Sequence, residues 1–305
     1  MNKNKTIYLH IGYNKTGTTA IQSTFYNNSK LLTENGLLYP ANCMGKRKSP
    51  AHHSLAESIL FRINKPLPKF VKSKTYNRYP DNYYWKLLHN EISLSDCDKI
   101  FISSEAFSRL RGHIVQMKFI KNLFEGFAVK ILVYLRNQPE FLESAYNQAV
   151  KRGSETKTID ELMKTGWLNI DYFEELEQWA SVFGHENIIM RIYDKEKLRK
   201  KGIVADVMKI IGYGDLTLQF KYPWFIKHWN IRLPNNMVET KRRINTRINK
   251  PRFVDNIINF WLHWAGKFKK DISLLTDEQI RVIQDRNFLP NNKLGEKYLD
   301  GEFPF

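Results

Sequence analysis

The fold is predicted mainly from one stretch of the sequence, HIGYNKTGTTAIQ, residues 10–22. The stretch follows the apolar run IYL, residues 7–9, and its Gly12 and Gly17 bound a short loop. Threonines and apolar residues after Gly17 begin a helical pattern that extends to about residue 35. A strand, a glycine-bounded loop and a helix in this order form a cradle in which backbone amides and the helix N-terminus bind phosphate.

The lysine of this loop has an unusual position. In nucleotide-hydrolysing phosphate loops, G-x-x-x-x-G-K-[ST], the lysine directly follows the second glycine and reaches the terminal phosphates. Here Thr18 occupies that position, Thr19 supplies the hydroxyl, and Lys15 lies inside the loop. The loop therefore keeps a phosphate-binding backbone, but the usual clamp on a γ-phosphate is missing.

The remaining sequence predicts an α/β fold. The chain has 305 residues, enough to bury a sizeable core. Strands separated by helices predict a central parallel sheet flanked by helices, followed by a helical and basic region. We expect a single domain over 1–305, with a core over about 6–212 and a helical C-terminal cap over about 221–305.

Cysteine use and hydropathy give an expected location. Two cysteines, Cys43 and Cys97, predict neither a disulfide framework nor a zinc site. The first strand begins almost at once, and no apolar run approaches the roughly 20 residues of a membrane helix. We therefore expect a cytoplasmic protein, with the inner face of the membrane as a further location.

The formal net charge of +17 is concentrated in two stretches. Residues 62–80 carry six Lys or Arg and no acid, which gives +6. Residues 221–270 carry twelve Lys or Arg against Glu239 and Asp255, which gives +10. Such concentration favours a surface that meets polyanions, which can be nucleic acid, acidic glycans or anionic lipid headgroups. Solvated lysines on helix faces are the alternative.

The loop resembles that of the PAPS-dependent sulfotransferases, which often reads K-T-G-T-T. PAPS, 3′-phosphoadenosine 5′-phosphosulfate, donates the sulfuryl group in that family, and PAP is the product. The resemblance implies that Lys15, Thr16, Gly17, Thr18 and Thr19 hold the 5′-phosphosulfate. It also implies that Lys15 stabilises charge on the bridging oxygen as the sulfuryl group leaves, with no metal required.

A second motif of that family binds the 3′-phosphate through an arginine after a later strand and a serine eight residues further on. In VKILVYLRNQPEFLESAYNQ, residues 129–148, Arg136 ends a predicted strand and Ser144 lies on the next predicted helix. Open parallel sheets bind ligands at the carboxyl ends of their strands, so the placement suits a phosphate. Arginine forks onto phosphate oxygens, and the hydroxyl adds one hydrogen bond.

Further stretches resemble bacterial sulfotransferases that act on carbohydrates: HHSLAES, FISSEAF, SAYNQAVKRG and FGHENIIMRIYD. The resemblance implies a P-loop-like three-layer fold. It also implies sulfuryl transfer to a hydroxyl or amine of a carbohydrate, such as a cell-surface polysaccharide or glycolipid.

An acceptor hydroxyl must lose a proton during transfer, and His or Glu usually takes it. Candidates are the adjacent His52 and His53, before an apolar helix, and Glu105, at the end of the predicted strand KIFISSE. We expect His53 to be the base and Glu105 to orient the acceptor or the base. His52 stays open as an alternative, because neighbouring residues point in different directions. Adjacent histidines without a third ligand do not predict a metal site.

PRFVDNIINFWLHWAGKFKK, residues 251–270, combines aromatic and aliphatic residues with a basic end. An interfacial helix has this composition, with Trp261 and Trp264 at the depth of the lipid headgroups. A core helix with a basic end has it too. We expect the basic C-terminal region, including the run Lys241–Arg243, to present exposed charge to an acidic or lipid-linked acceptor or to the membrane. No nucleic-acid partner is expected.

Two other functions are consistent with the sequence. A kinase-like phosphotransferase would bind a nucleoside triphosphate in the loop, but it is disfavoured by Thr18 and by the lack of an evident Mg²⁺-binding carboxylate after a strand. A non-enzymatic polyanion-binding protein would use the two basic stretches alone.

Overall fold

The chain falls into two compact units in a computed structural model. The first unit is Met1–Leu135 with Phe173–Ile226, and the second is Arg136–Tyr172 with Lys227–Phe305. The structure describes residues 5–13, 15–45, 49–61, 82–166, 170–194, 198, 202–222, 232–247, 252–266 and 272–305. The basic stretch 62–80 lies outside these residues, and so do parts of 221–270. The expected single domain stays a prediction.

The first unit is built on a parallel five-stranded sheet. In chain order the strands are β1 Thr6–His10, β2 Leu37–Leu38, β3 Lys99–Ser103, β4 Ala128–Leu135 and β5 Ile188–Ile192. Their order in the sheet is β2–β3–β1–β4–β5, and every neighbouring pair is parallel. The central β1 places His10 beside Ser103 of β3 and Leu132 of β4. The predicted parallel α/β sheet is confirmed.

Helices connect and follow these strands. In chain order they are α1 Thr18–Asn27, α2 Ser29–Glu34, α3 His53–Phe61, α4 Tyr83–Ser93, α5 Ile114–Leu123, α6 Gln138–Lys151, α7 Ile159–Lys164, α8 Tyr172–Phe183, α9 Ile203–Ile211, α10 Asn235–Arg247, α11 Arg252–Gly266 and α12 Asp277–Tyr298. The predicted helix over about 18–35 is divided at Asn28. The Asn28 side chain bonds the carbonyl of Thr24 and both the N–H and the carbonyl of Lys221, which holds the backbone out of helical geometry there.

Side chains alternate between the two faces along each strand, and both faces of the sheet are buried. On one face, Phe101, Leu132 and Tyr134 share a core with side chains of α1 and α9. The alternate residues are buried as well: Ile7, Leu9, Ile100, Ile102, Ile131 and Val133. His10 and Ser103 belong to the α1 face, so polar groups end two neighbouring strands beneath the same helix.

The second unit is helical in the residues that the structure describes. Helix α6 packs against α10 and α12, and α10 packs against α11. Its core contains Tyr146, Val150, Leu162, Leu233 and Val238. The predicted helix that carries Ser144 is α6, and the described residues beyond 220 are largely helical, as the sequence predicts.

Candidate functional site

The candidate phosphate loop joins the carboxyl end of β1 to the N-terminus of α1. Asn14 lies outside the described residues. Lys15 has a backbone φ of 69° and Gly17 one of 76°. Both values lie in the left-handed region, which is uncommon for a residue other than glycine. The buried Thr16 between them donates its hydroxyl to the Tyr13 carbonyl at 2.7 Å, which closes the turn.

The two glycines of the loop are required by space. A Cβ on Gly12 would lie 2.5 Å from Nε2 of His10, and a Cβ on Gly17 would lie 3.0 Å from Cδ1 of Ile203. A side chain at position 12 would therefore displace the His10 ring, and position 17 also has a positive φ that favours glycine. The loop is a closely packed part of the first unit.

The N-terminus of α1 is suited to an anion. Helix α1 begins at Thr18 with Gly17 as its N-cap, a residue without a capping side chain, and its first turn holds no acidic residue. The first amides of a helix point outward and carry partial positive charge. Thr18 is buried and Thr19 exposed. The turn thus brings the loop residues Lys15–Thr19 together at a positive helix end.

A polar network lies where β1 and β3 end. Nδ1 of His10 is 2.8 Å from Oγ of Ser103. Gln22 of α1 donates to Oγ of Ser103 at 3.2 Å and to Oε2 of Glu105 at 3.0 Å. Glu105 begins a short 3₁₀ helix, with Ser104 as its N-cap. The helix that begins at the phosphate loop is therefore bonded to the candidate carboxylate.

His53 and Glu105 lie side by side. Nε2 of His53 is 3.8 Å from Oε1 of Glu105, and Nδ1 of His53 is 2.8 Å from Oγ of Ser104. Their side chains are 29% and 22% exposed, so both are accessible. At 3.8 Å the carboxylate attracts a protonated imidazole without a direct hydrogen bond. The pair can accept a proton from a molecule that enters from solvent.

His52 has a different environment. Its ring is fully buried, Nε2 lies 2.8 Å from the carbonyl oxygen of Pro40, and Nδ1 accepts the N–H of Ser103 at 3.0 Å. These bonds fix the ring proton on Nε2. Burial also lowers the pKa of His52 from 6.5 to about 4. Both ring nitrogens are already used, so an acceptor hydroxyl has no nitrogen to bind there.

His10 is a site residue that the sequence did not single out. It is fully buried, and burial lowers its pKa to about 4 although Glu105 acts in the opposite direction. Its Nε2, on the side of Gly12, has no hydrogen-bond partner among the residues that the structure describes. A histidine inside the apolar run IYLHI was the available signal, since a buried strand rarely carries an ionisable residue.

Arg136 and Ser144 belong to the second unit. Arg136 directly follows β4 in the chain, and its Nε and Nη2 donate to Oε2 of Glu140 at 2.9 and 2.7 Å. Its carbonyl accepts the hydroxyl of Tyr172 at 2.9 Å. Ser144 is buried on α6. A phosphate on Arg136 would therefore compete with the carboxylate of Glu140.

The basic run on α10 is not the exposed surface that the sequence suggested. Lys241 is fully buried, with Nζ 2.8 Å from Oδ1 of Asp255. Arg242 and Arg243 both donate to Glu239, and these bonds lower the pKa of Glu239 to about 2. Arg243 alone of the three is largely exposed, at 69%. Lys241 is a structural residue, because a buried ammonium needs a paired carboxylate.

The described residues contain neither a metal-ligand group nor a membrane-spanning helix. Within them, no three His, Cys, Asp or Glu side chains form a group that could hold a metal ion. Over the same part of the chain, no helix has the length and apolar character to cross a membrane. Cys43 and Cys97 are both free and buried.

Comparisons with known proteins give similarities to a curated protein and to solved structures. No family model matches the chain. An uncharacterized protein from Archaeoglobus fulgidus is 32% identical over 203 residues, or 65% of this chain and 53% of that protein. The chain thus spans about half the length of this relative. Among solved structures, the chain is similar to a sulfotransferase from Alicyclobacillus acidocaldarius, with a TM-score of 0.44 and 18% identity over 67% of this chain and 80% of that one. Neither similarity assigns an activity.

Proposed function

We propose that the protein is a sulfotransferase that moves a sulfuryl group from PAPS to a hydroxyl or amine of a carbohydrate. One observation carries the proposal: a K-T-G-T-T turn at the N-terminus of α1 lies in the same unit as an accessible His53–Glu105 pair, and Gln22 of α1 bonds Glu105. An anion site and a proton acceptor are the two parts that direct in-line transfer needs.

The donor would be bound by the loop. The amides at the start of α1 and the hydroxyls of Thr18 and Thr19 suit a phosphosulfate, and Lys15 supplies a cation. Lys15 would stabilise the charge that develops on the bridging oxygen. The lysine position of a γ-phosphate clamp is occupied by Thr18, which favours sulfuryl over phosphoryl transfer.

The general base would be His53. His53 can accept a proton at Nε2 only if its ring proton is on Nδ1. Oγ of Ser104 lies 2.8 Å from Nδ1 and can accept a hydrogen bond from that N–H. Glu105, 3.8 Å from Nε2, would stabilise the imidazolium that forms. The bond from Gln22 to the other carboxylate oxygen would keep Glu105 in place.

The 3′-phosphate would be bound by Arg136 and Ser144. Their spacing in the sequence supports this role, and so does a guanidinium at the carboxyl end of β4. For the acceptor, the sequence resemblance favours a carbohydrate, and the basic C-terminal region favours one that is acidic or lipid-linked. A location in the cytoplasm, at the inner face of the membrane, is part of the same proposal.

Ligand titration tests the donor. The purified protein is titrated with PAP, with ATP in the presence and absence of Mg²⁺, and with a heparin-like polyanion. Tight binding of PAP without Mg²⁺ is expected. Mg²⁺-dependent binding of ATP would favour a phosphotransferase, and binding of the polyanion alone would favour a non-enzymatic protein; either result would refute the proposal.

Variants of Lys15 and His53 test the chemistry, with labelled PAPS and a panel of oligosaccharide acceptors. Lys15→Ala should lower the transfer rate by at least about 10²-fold and weaken PAP much less, because PAP lacks the sulfuryl group. The exposed Lys30→Ala, on α2, is the matched control. His53→Gln should lower the rate by about 10²–10⁴-fold while the protein stays folded. An equal loss of transfer and PAP binding in Lys15→Ala would exclude the role assigned to that lysine.

A further inference from the structure

Helix α11 of the second unit has a polar side facing inward. Asp255 pairs with the buried Lys241, and Nδ2 of Asn259 donates to the carbonyl of Lys151 at 3.0 Å. Leu262 packs against the core of this unit. At about 100° per residue, these positions of α11 lie within roughly 60° of one another around the helix. They define the side that the protein covers.

The opposite side of α11 is apolar and exposed. Ile257, Phe260, Trp261 and Trp264 have 46%, 64%, 63% and 57% of their surface accessible, and we call these four residues the aromatic face. Counted at the same angle per residue, the aromatic face is centred roughly 180° from the covered side.

This orientation reverses the usual one. A helix on the surface of a globular protein turns its apolar stripe inward and its polar side to water. The ion pair of Asp255 and the side-chain hydrogen bond of Asn259 hold the polar side of α11 against the protein. Two tryptophans and a phenylalanine are therefore exposed to solvent. Single exposed apolar residues are ordinary, but four on one helical face mark a surface that meets an apolar partner.

Charge identifies the partner. Residues 221–270, which contain α11, carry a net charge of +10. Two copies that met through this face would bring +10 against +10, which opposes association. Anionic lipid headgroups attract the same charge, and the exposed Arg243 and Arg247 on the neighbouring α10 are part of it. Trp residues prefer the headgroup level of a bilayer, and Phe is common on the apolar face of interfacial helices.

We infer that α11 docks on the surface of an anionic bilayer, with the aromatic face inserted at headgroup depth. With 15 residues the helix is about 22 Å long, so it would lie along the surface. The inference does not depend on the proposed activity, because none of its residues belongs to the donor or base site.

Flotation with vesicles tests the inference. The full-length protein is mixed with vesicles of phosphatidylcholine, or of an equal mixture of phosphatidylcholine and phosphatidylglycerol, at low and high salt. Binding to the anionic vesicles and loss of binding at high salt are expected. The double variant Phe260→Ser/Trp261→Ser should bind at least about tenfold more weakly, because it removes half of the inserted apolar surface.

A matched control removes exposed apolar surface elsewhere in the same unit. Phe288 and Leu289 of α12 are 54% and 68% exposed, and Phe288→Ser/Leu289→Ser should bind like the wild type. Thermal unfolding checks that both double variants are folded. Brominated lipids add a depth readout: Trp261→Phe/Trp264→Phe should keep vesicle binding and lose most of the fluorescence quenching.

Three results would overturn the inference. Wild-type protein could fail to bind anionic vesicles, or the Phe260→Ser/Trp261→Ser variant could bind them as tightly as the wild type. Alternatively, that variant could lose self-association in sedimentation equilibrium while its vesicle binding is unchanged, and α11 would then be an interface between copies of this chain.

Discussion

Lowering the pH from 7 to 5 should destabilise the protein through two histidines beneath the candidate site. His10 and His52 are fully buried, and burial lowers both pKa values from 6.5 to about 4. Each ring therefore binds a proton more readily in the unfolded chain than in the folded one. The stability that depends on them is fully present above about pH 6.5 and is lost as the pH falls toward 4.

The size of the effect follows from the shift. One pKa unit corresponds to about 1.4 kcal/mol, so each histidine accounts for about 3 kcal/mol over the whole window. Between pH 7 and pH 5, each should contribute about 2 kcal/mol and the pair about 4 kcal/mol. That is a large part of the roughly 5–15 kcal/mol by which a folded protein is usually stable.

Urea unfolding at pH 7, 6 and 5 measures this loss. His52→Gln lowers stability at every pH because it disturbs the bonds to Pro40 and Ser103, but it should also remove about 2 kcal/mol of the difference between pH 7 and pH 5. Carboxylates contribute equally in both proteins, so the comparison isolates the histidine. His185→Gln, at an exposed ring, is the control. An unchanged pH dependence in His52→Gln would refute the assignment of a neutral, buried imidazole.

The remaining predictions concern charged groups of the second unit. Arg136→Ala should weaken PAP by roughly ten- to hundredfold, since a charge-assisted bond is worth about 1.5–3 kcal/mol, and Ser144→Ala should weaken it less. Adenosine 5′-phosphosulfate lacks the 3′-phosphate, and equal weakening of both nucleotides in calorimetry would assign these residues to the fold. Lys241→Met should cost about 3–5 kcal/mol of unfolding free energy, because the carboxylate of Asp255 loses its partner. Arg243→Gln, at an exposed ion pair, should cost less than about 1 kcal/mol, and similar urea midpoints for the two variants would contradict the structural role of Lys241.

The sheet and the loop could be predicted because their signals are local. A buried strand, two glycines at fixed spacing and an apolar helix pattern lie within residues 6–27, so no distant contact is needed to recognise them. The parallel direction of the strands could be predicted because strands and helices alternate along the chain. The division at Asn28 could not be foreseen, because its cause is a hydrogen bond to Lys221 from far along the chain.

The difference between His52 and His53 needed the structure. His53 begins α3 and His52 directly precedes it, so the sequence gives them nearly the same neighbours. Their environments differ because the Pro40 carbonyl and the Ser103 amide enclose one ring, while the other meets Ser104 and Glu105. The contacts that decide which histidine can take a proton are therefore long-range.

Lys241 shows a signal that was present in the sequence and overlooked. It lies three residues after Val238, so it shares a helical face with a core side chain, and Asp255 is one of only two acids in residues 221–270. A lysine on a buried face requires a carboxylate partner. The net charge of the stretch suggests that Lys241 is an exposed charge, whereas its helical spacing from Val238 places it on the buried face.

The same ion pair decides how α11 is oriented. Hydrophobic periodicity identifies the apolar side of this helix but not the direction in which that side points, so the sequence allowed both a core helix and an interfacial one. Asp255 resolves the choice, because a buried carboxylate bonded to Lys241 holds the polar side of α11 against the protein. The aromatic face is then directed outward by the pairing of two charges inside the unit. The position of Lys241 thus determines that the apolar side of α11, which has the composition of a core helix, is exposed to solvent.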